Sequence, residues 1–241
     1  MENKLITYLD KRLRKEAPTD TLLNPPGPVI TISREVGCNG IKLAQALALH
    51  LNQQDPLHKW KVISKEVLFE CAKELHLEPD RVNKLLKQSE RYTLDEILNT
   101  FSYKQFVSDR KIINTVVDVI HSFAVDGFCI IVGRAGHVIA GDIQNALHLK
   151  FIAPLEYRIR NIMENNFLDH TQAVEFINRV ENERAALRKL VSKDGEKEDL
   201  YSYDMIINTA NLGIEGCTGI IAECIKHKKI LADYRLKPEV Y

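Results

Sequence analysis

From Pro28 onward, short apolar runs rich in β-branched residues alternate with helical stretches, and that rhythm predicts a layered α/β domain with a parallel sheet. Five runs qualify as strands: PVITIS (28–33), WKVIS (60–64), FCIIVG (128–133), ALHLKFIA (146–153) and YDMIIN (203–208). Three of them are continuously apolar, the pattern of strands covered on both faces. Helical periodicity falls near 41–53, 65–76, 105–125, 155–166, 171–191 and 214–227. The interval 65–127 exceeds what one crossover needs and predicts a helical insertion. A second helical stretch, 155–200, separates the fourth and fifth strands. The unit 28–241 is thus one core with two helical excursions, preceded by a leading piece, 1–27. In that piece, Leu5, Ile6, Leu9 and Leu13 share one face of a helix over 2–16, and TDTLLNPPGP reads as a linker. The leading helix has three open roles: docking on the body, pairing two copies into a homodimer, or none of consequence.

Composition narrows the partners. The 33 basic and 33 acidic residues among 241 cancel, which gives no reason to expect a nucleic acid or an anionic membrane. No apolar run nears the roughly 20 residues needed to cross a bilayer. The opening MENKLITYLDKRLRKEAP lacks the apolar core of a secretory signal. Five scattered cysteines (Cys38, Cys71, Cys129, Cys217, Cys224) form no CxxC pair and read as reduced thiols. A soluble, cytoplasmic protein is the expectation. The eight histidines show no metal-ligand spacing, so no metal centre of protein ligands alone is expected.

The most informative unit is the first strand–loop–helix, PVITIS-REVGCNG-IKLAQALALHLN. A tight turn that leaves a strand and opens a helix offers free N–H groups and a positive helix end to a phosphate. Gly37 and Gly40 sit where close approach or positive φ is needed, and Asn39 tolerates the left-handed region. Against the pattern GxxxxGK[ST], Arg34 stands at the first glycine, Asn39 at the second, Gly40 at the lysine and Ile41 at the magnesium-binding hydroxyl. Arg34 and Lys42 are the nearby cations. A structural turn and an anion site are both open readings of this loop alone. In IIVGRAGHVI (130–139), Arg134 follows a buried strand and projects from the sheet edge where ligands bind. Its alternative is an ion pair at the sheet rim.

Arg158 and Arg160 follow the fourth strand, while Glu181, Arg184 and Arg188 fall at i, i+3 and i+7 on one helix face. Together these groups suit a segment that closes over phosphates and excludes water; singly, each is more often a solvated surface arginine. Asn208 and Thr209 end the fifth strand at the ligand-facing edge, and Thr209 or Asn211 also suits a helix cap.

The motifs ITISREVGCNGIKLAQALA, CIIVGRAGHVI, FIAPLEYRIRNIME, ENERAAL and YDMIINTANLG follow in an order that resembles the cytidylate kinase-like group of P-loop nucleoside monophosphate kinases, over roughly 28–225. The resemblance implies a three-layer P-loop NTPase-like fold with five parallel strands, an acceptor-binding insertion about 65–127 and an arginine-bearing lid about 155–200. It also implies transfer of the ATP γ-phosphate to a CMP-like nucleotide or similar small molecule, with Mg2+ held mainly by phosphates and water. By the same resemblance Arg34, Gly37, Cys38, Asn39, Gly40 and Ile41 belong to the phosphate loop, which departs from the group's SREYGSGGRE at Cys38, Asn39 and Ile41. Arg134 matches the arginine that holds the acceptor phosphate, with Ala135 in place of a base-reading aspartate. Arg158 and Arg184 match lid arginines, Glu181 replaces an aspartate, Leu187 replaces a tyrosine, and Asn208 stands where true cytidylate kinases carry an aspartate. Lys42, Arg158, Arg184 and Arg188 are accordingly the catalytic candidates, with Lys42 or Arg34 replacing the loop lysine. The rival expectations are a catalytically impaired nucleotide- or anion-binding module on the same scaffold, and an assembly protein joined through 2–16.

Overall fold

All five apolar runs form strands of one parallel sheet, ordered β2-β3-β1-β4-β5. The computed structural model describes residues 26–64, 114, 117–192 and 199–234. The helix expected over 2–16 and most of the expected insertion lie outside them. The strands are β1 (Val29–Arg34), β2 (Lys61–Ile63), β3 (Cys129–Val132), β4 (Ala146–Ile152) and β5 (Met205–Asn208). Val29 pairs with Cys129 on one side and Ala146 on the other, so β1 lies at the centre.

Side chains alternate across a strand, and both faces of β1 are covered. Ile30 and Ile32 pack with Leu43, Leu47 and Leu51 of α1 (Gly40–Gln54) and with Cys217, Ile221 and Ile225 of α5 (Thr209–Lys228). Val29 packs on the opposite face with Ile120, Phe123 and Ala124 from the helical segment 117–126 and with Ile139 of the short α2 (Gly136–Ile139). This makes a three-layer α/β body. Ile30, Leu43, Leu47 and Leu147 are fully buried, and burial of each such side chain favours the fold by about 1.5–3 kcal/mol.

The expected 155–200 excursion is a helical hairpin, α3 (Leu155–Asn166) and α4 (His170–Val191). Phe167, at φ 55°, ends α3. Asp169 starts α4 by accepting from the Gln172 amide, while the Gln172 side chain accepts from the Asp169 amide in return. That reciprocal box satisfies two of the donors a helix start leaves over. Ile159 and Ile162 of α3 meet Ala173, Ile177 and Val180 of α4, and Val36, from the loop after β1, is buried in the same cluster. The last helix begins earlier than its periodicity suggests, at Thr209, and Gly213 (φ 62°, ψ −176°) interrupts it. Among the described residues no helix is long and apolar enough to cross a membrane.

Candidate phosphate-binding site

β1 has β3 on one side and β4 on the other, so the chain leaves it toward both halves of the sheet. A crevice opens beyond the strand ends at such a point, and ligands of open α/β sheets bind there. Three segments meet at this edge: the loop Glu35–Asn39, the turn Gly133–Ala135 and the start of α3.

The loop ends with Asn39 in the left-handed region (φ 52°). Its side chain does not cap α1, and the first turn holds no acidic residue. The amides of Gly40, Ile41 and Lys42 have no intrahelical acceptors at this position and carry the positive end of the helix. Gly37, at φ 93°, needs glycine twice over: a Cβ there would lie 2.7–2.8 Å from the backbone of Arg158. The rest of the loop is fastened by its neighbours. Glu35 accepts from the Ala153 amide at 3.0 Å and pairs with Arg158 at 3.4 Å. Glu181 accepts from the Val36 amide at 2.7 Å and lies 3.7 Å from Arg158. Asn161 donates to the Gly37 carbonyl at 2.8 Å, and Arg184 donates to the Arg34 carbonyl at 2.9 Å.

Arg34 turns from the end of β1 across the site. A Cβ on Gly40 would meet the Arg34 stem at 3.0 Å, and one on Gly133 would overlap its guanidinium. The side chain therefore runs from the start of α1 to the turn after β3. Among the described residues no acceptor bonds its guanidinium. Burial first, then the like charges of Arg184 and Arg134, push Arg34 down to about 9, with Glu181 opposing. Burial also lowers Arg184, with Glu181 raising and Arg188 lowering it. These guanidiniums act on one another across one edge of the sheet, with Glu181 opposing the charge of Arg34 and Arg184, an arrangement that suits an anion.

Gly133, Arg134 and Ala135 have φ of 77°, 55° and 53° in succession. Each non-glycine residue held there costs on the order of 1–3 kcal/mol, and such strain concentrates where a ligand is gripped. The helix-opening amides of α1 and Arg134 thus belong to one edge of the sheet, joined by Arg34.

The remaining candidates fall in different places. Arg158 pairs with Glu35 of the loop and with Glu181, and donates to the Ala153 carbonyl, just before its own helix, at 3.1 Å. Lys42 is exposed and donates to Asn165 at 3.1 Å. The Cys38 thiol is buried and pushed up to about 11, mainly by desolvation, so it stays neutral, and it is bonded to Thr209. Asn208 caps α5, accepting from the Ala210 amide at 3.1 Å. Ile41 is exposed in the first turn of α1.

Three further features escaped the sequence reading. Glu35 and Asn161 look like surface polar residues until folding ties Glu35 to the Ala153 amide and Arg158, and Asn161 to the Gly37 carbonyl. His137 is buried, with Nδ1 3.2 Å from the Ser33 hydroxyl and Nε2 3.2 Å from the Tyr203 hydroxyl. Nothing in the spacing of Ser33, His137 and Tyr203 announces that chain. Among the described residues no group of three or more His, Cys, Asp or Glu is placed to hold a metal ion.

Comparison with known proteins places the chain among its relatives. A 105-residue stretch is 28% identical to the uronate isomerase of Corynebacterium glutamicum, covering 44% of this chain. The match spans 20% of that curated relative, about a fifth of its length. A crystal structure of an uncharacterized protein from Eubacterium ventriosum matches at 22% identity and a TM-score of 0.59, over 83% of this chain and 98% of that one. The shikimate kinase of Bacteroides thetaiotaomicron matches at 11% identity and a TM-score of 0.45, over 82% of this chain and 98% of that one. The family model of the cytidylate kinase-like family matches residues 29–211, from the first residue of β1 into the first turn of α5, and so takes in every strand and the whole guanidinium edge. The fold is an α/β body around a five-stranded parallel sheet, and the chain belongs to the cytidylate kinase-like family.

Proposed function

We propose that the protein is an ATP-dependent phosphotransferase acting on a nucleoside monophosphate, CMP-like, or a similar small molecule. The observation that carries this reading is the meeting of Arg34, Arg134 and Arg184 around an uncapped helix start, with Glu181 opposing the charge of Arg34 and Arg184. Phosphoryl transfer asks little covalent chemistry of a protein and depends on positioning and charge neutralisation. The amides opening α1 would hold the donor phosphates, and Arg134 the acceptor phosphate. An acceptor oxygen attacks the γ-phosphorus, a new P–O bond forms, the bond to the bridging β–γ oxygen breaks, and ADP leaves with that electron pair. Arg184 and Arg188, charged neighbours on α4, would neutralise the charge that builds up on the transferring group. Magnesium would enter with ATP, its shell completed by phosphate oxygens and water, as suits that ion.

The test is ADP release across nucleoside monophosphates and small alcohols, with and without magnesium. Magnesium-dependent turnover with one acceptor class is expected; no turnover by a folded protein that binds MgATP overturns the reading. A second reading has its own support: Glu181 already occupies the Val36 amide and the loop lacks its lysine, as in a module that binds an anion without catalysis. Arg184→Ala separates the two. A kinase loses rate more than affinity, whereas a binding module has only affinity to lose.

A further inference from the structure

We infer that Arg34, arriving from the end of β1, replaces the phosphate-loop lysine, and that Gly40 and Gly133 are glycine because its side chain passes over them. The inference rests on the phosphotransferase reading and adds to it the group that meets the terminal phosphates of a nucleoside triphosphate. A lysine at position 40 would rise from the first turn of α1 and reach back over the loop. That space holds the Arg34 stem, whose Cγ and Cδ lie 3.0 and 3.3 Å from where a Cβ on Gly40 would sit. The guanidinium lies against Gly133, at the turn that presents Arg134. The lost lysine and the gained arginine are therefore one coupled change. The cation enters from the strand side of the loop instead of the helix side, and delivers its charge to the same cavity.

Two observations separate Arg34 from a structural arginine. Among the described residues its guanidinium has no hydrogen-bond acceptor, and its charged neighbours include Arg184 and Arg134, with Glu181 opposing. A guanidinium kept for stability would be paired; this one is held in readiness for an anion. The rival cation, Lys42, is exposed and bonded to Asn165 on α3.

The experiment uses the full chain and titrates MgATP and pyrophosphate by fluorescence or calorimetry, with thermal melts of the ligand-free proteins. Arg34→Met keeps the stem and removes the charge. It is expected to weaken MgATP and pyrophosphate binding about tenfold or more, while the ligand-free melting temperature holds or rises. A fall in melting temperature with unchanged binding would make Arg34 structural and overturn the inference. The swap Arg34→Gly with Gly40→Lys should recover binding relative to Arg34→Met, because it returns a cation from the helix side. Failure of the folded swap to recover any binding overturns the coupling. Lys42→Ala should stay within about threefold of the unaltered protein; a loss there matching that of Arg34→Met overturns the assignment. If Arg34→Met does not fold, Arg34→Lys is read in its place, with a smaller loss of binding expected. An unaltered protein that binds neither MgATP nor pyrophosphate brings down the phosphotransferase reading itself. Unaltered binding by Arg34→Met brings down only the assignment.

Discussion

Helices α1 and α4 begin in opposite ways. At α4 the Asp169 and Gln172 side chains close a reciprocal box over the first amides. At α1 the preceding residue is Asn39, turned left-handed, with no side-chain cap and no acidic residue in the first turn. A start built for stability uses its own side chains on its own amides. A start that leaves them open, among guanidiniums, keeps them for something that arrives from solution. The difference marks which helix start is closed by its own side chains and which, on the phosphotransferase proposal, would meet phosphate.

The largest blow to the α1 side of that comparison is Gly37→Ala. The new methyl meets the Arg158 backbone and the residue is strained at φ 93°, so stability should fall by about 3 kcal/mol, read by chemical denaturation. Filling the open start should do the reverse. MgATP at about a hundred times its dissociation constant should raise stability by about 2.7 kcal/mol, read as a shift in melting temperature. On the α4 side, Asp169→Ala should lose about 1 kcal/mol of stability and leave MgATP affinity unchanged. An affinity loss there would show that the two starts are not independent. The smallest effect is the sharpest: Asn39→Asp keeps the left-handed turn but places a carboxylate at the open end. Stability should rise by about 0.5 kcal/mol while MgATP affinity falls, since the carboxylate competes for the same amides. A rise in both would mean that phosphate does not bind there.

Much of the fold was legible because covered parallel strands must be apolar on both faces, and each of the five runs announced its strand. The hairpin helices were legible from their period. The four residues of α2 were not, being too few to show one. The site was legible in part. Gly37 and Asn39 advertise left-handed backbone, and Arg134 follows a buried strand into the crevice. The course of Arg34 was hidden because Gly40 and Gly133 are far apart in sequence and only the β1–β3 pairing brings them to one side chain. The left-handed run through Arg134 and Ala135 was equally hidden, since neither residue type favours that conformation. Glu35 gave no sign that it would reach the Ala153 amide and Arg158, nor Glu181 that it would hold the Val36 amide.

Val36 gives the loop a mechanical role. Its side chain is anchored between α3 and α4, so the hairpin cannot tilt without pulling on the strand-to-helix turn. Occupancy at the turn and the attitude of the hairpin should then be coupled. Amide exchange in α3 and α4 should slow when ligand seats some distance away, and a wedge driven into the hairpin should loosen the grip on ATP with no direct contact.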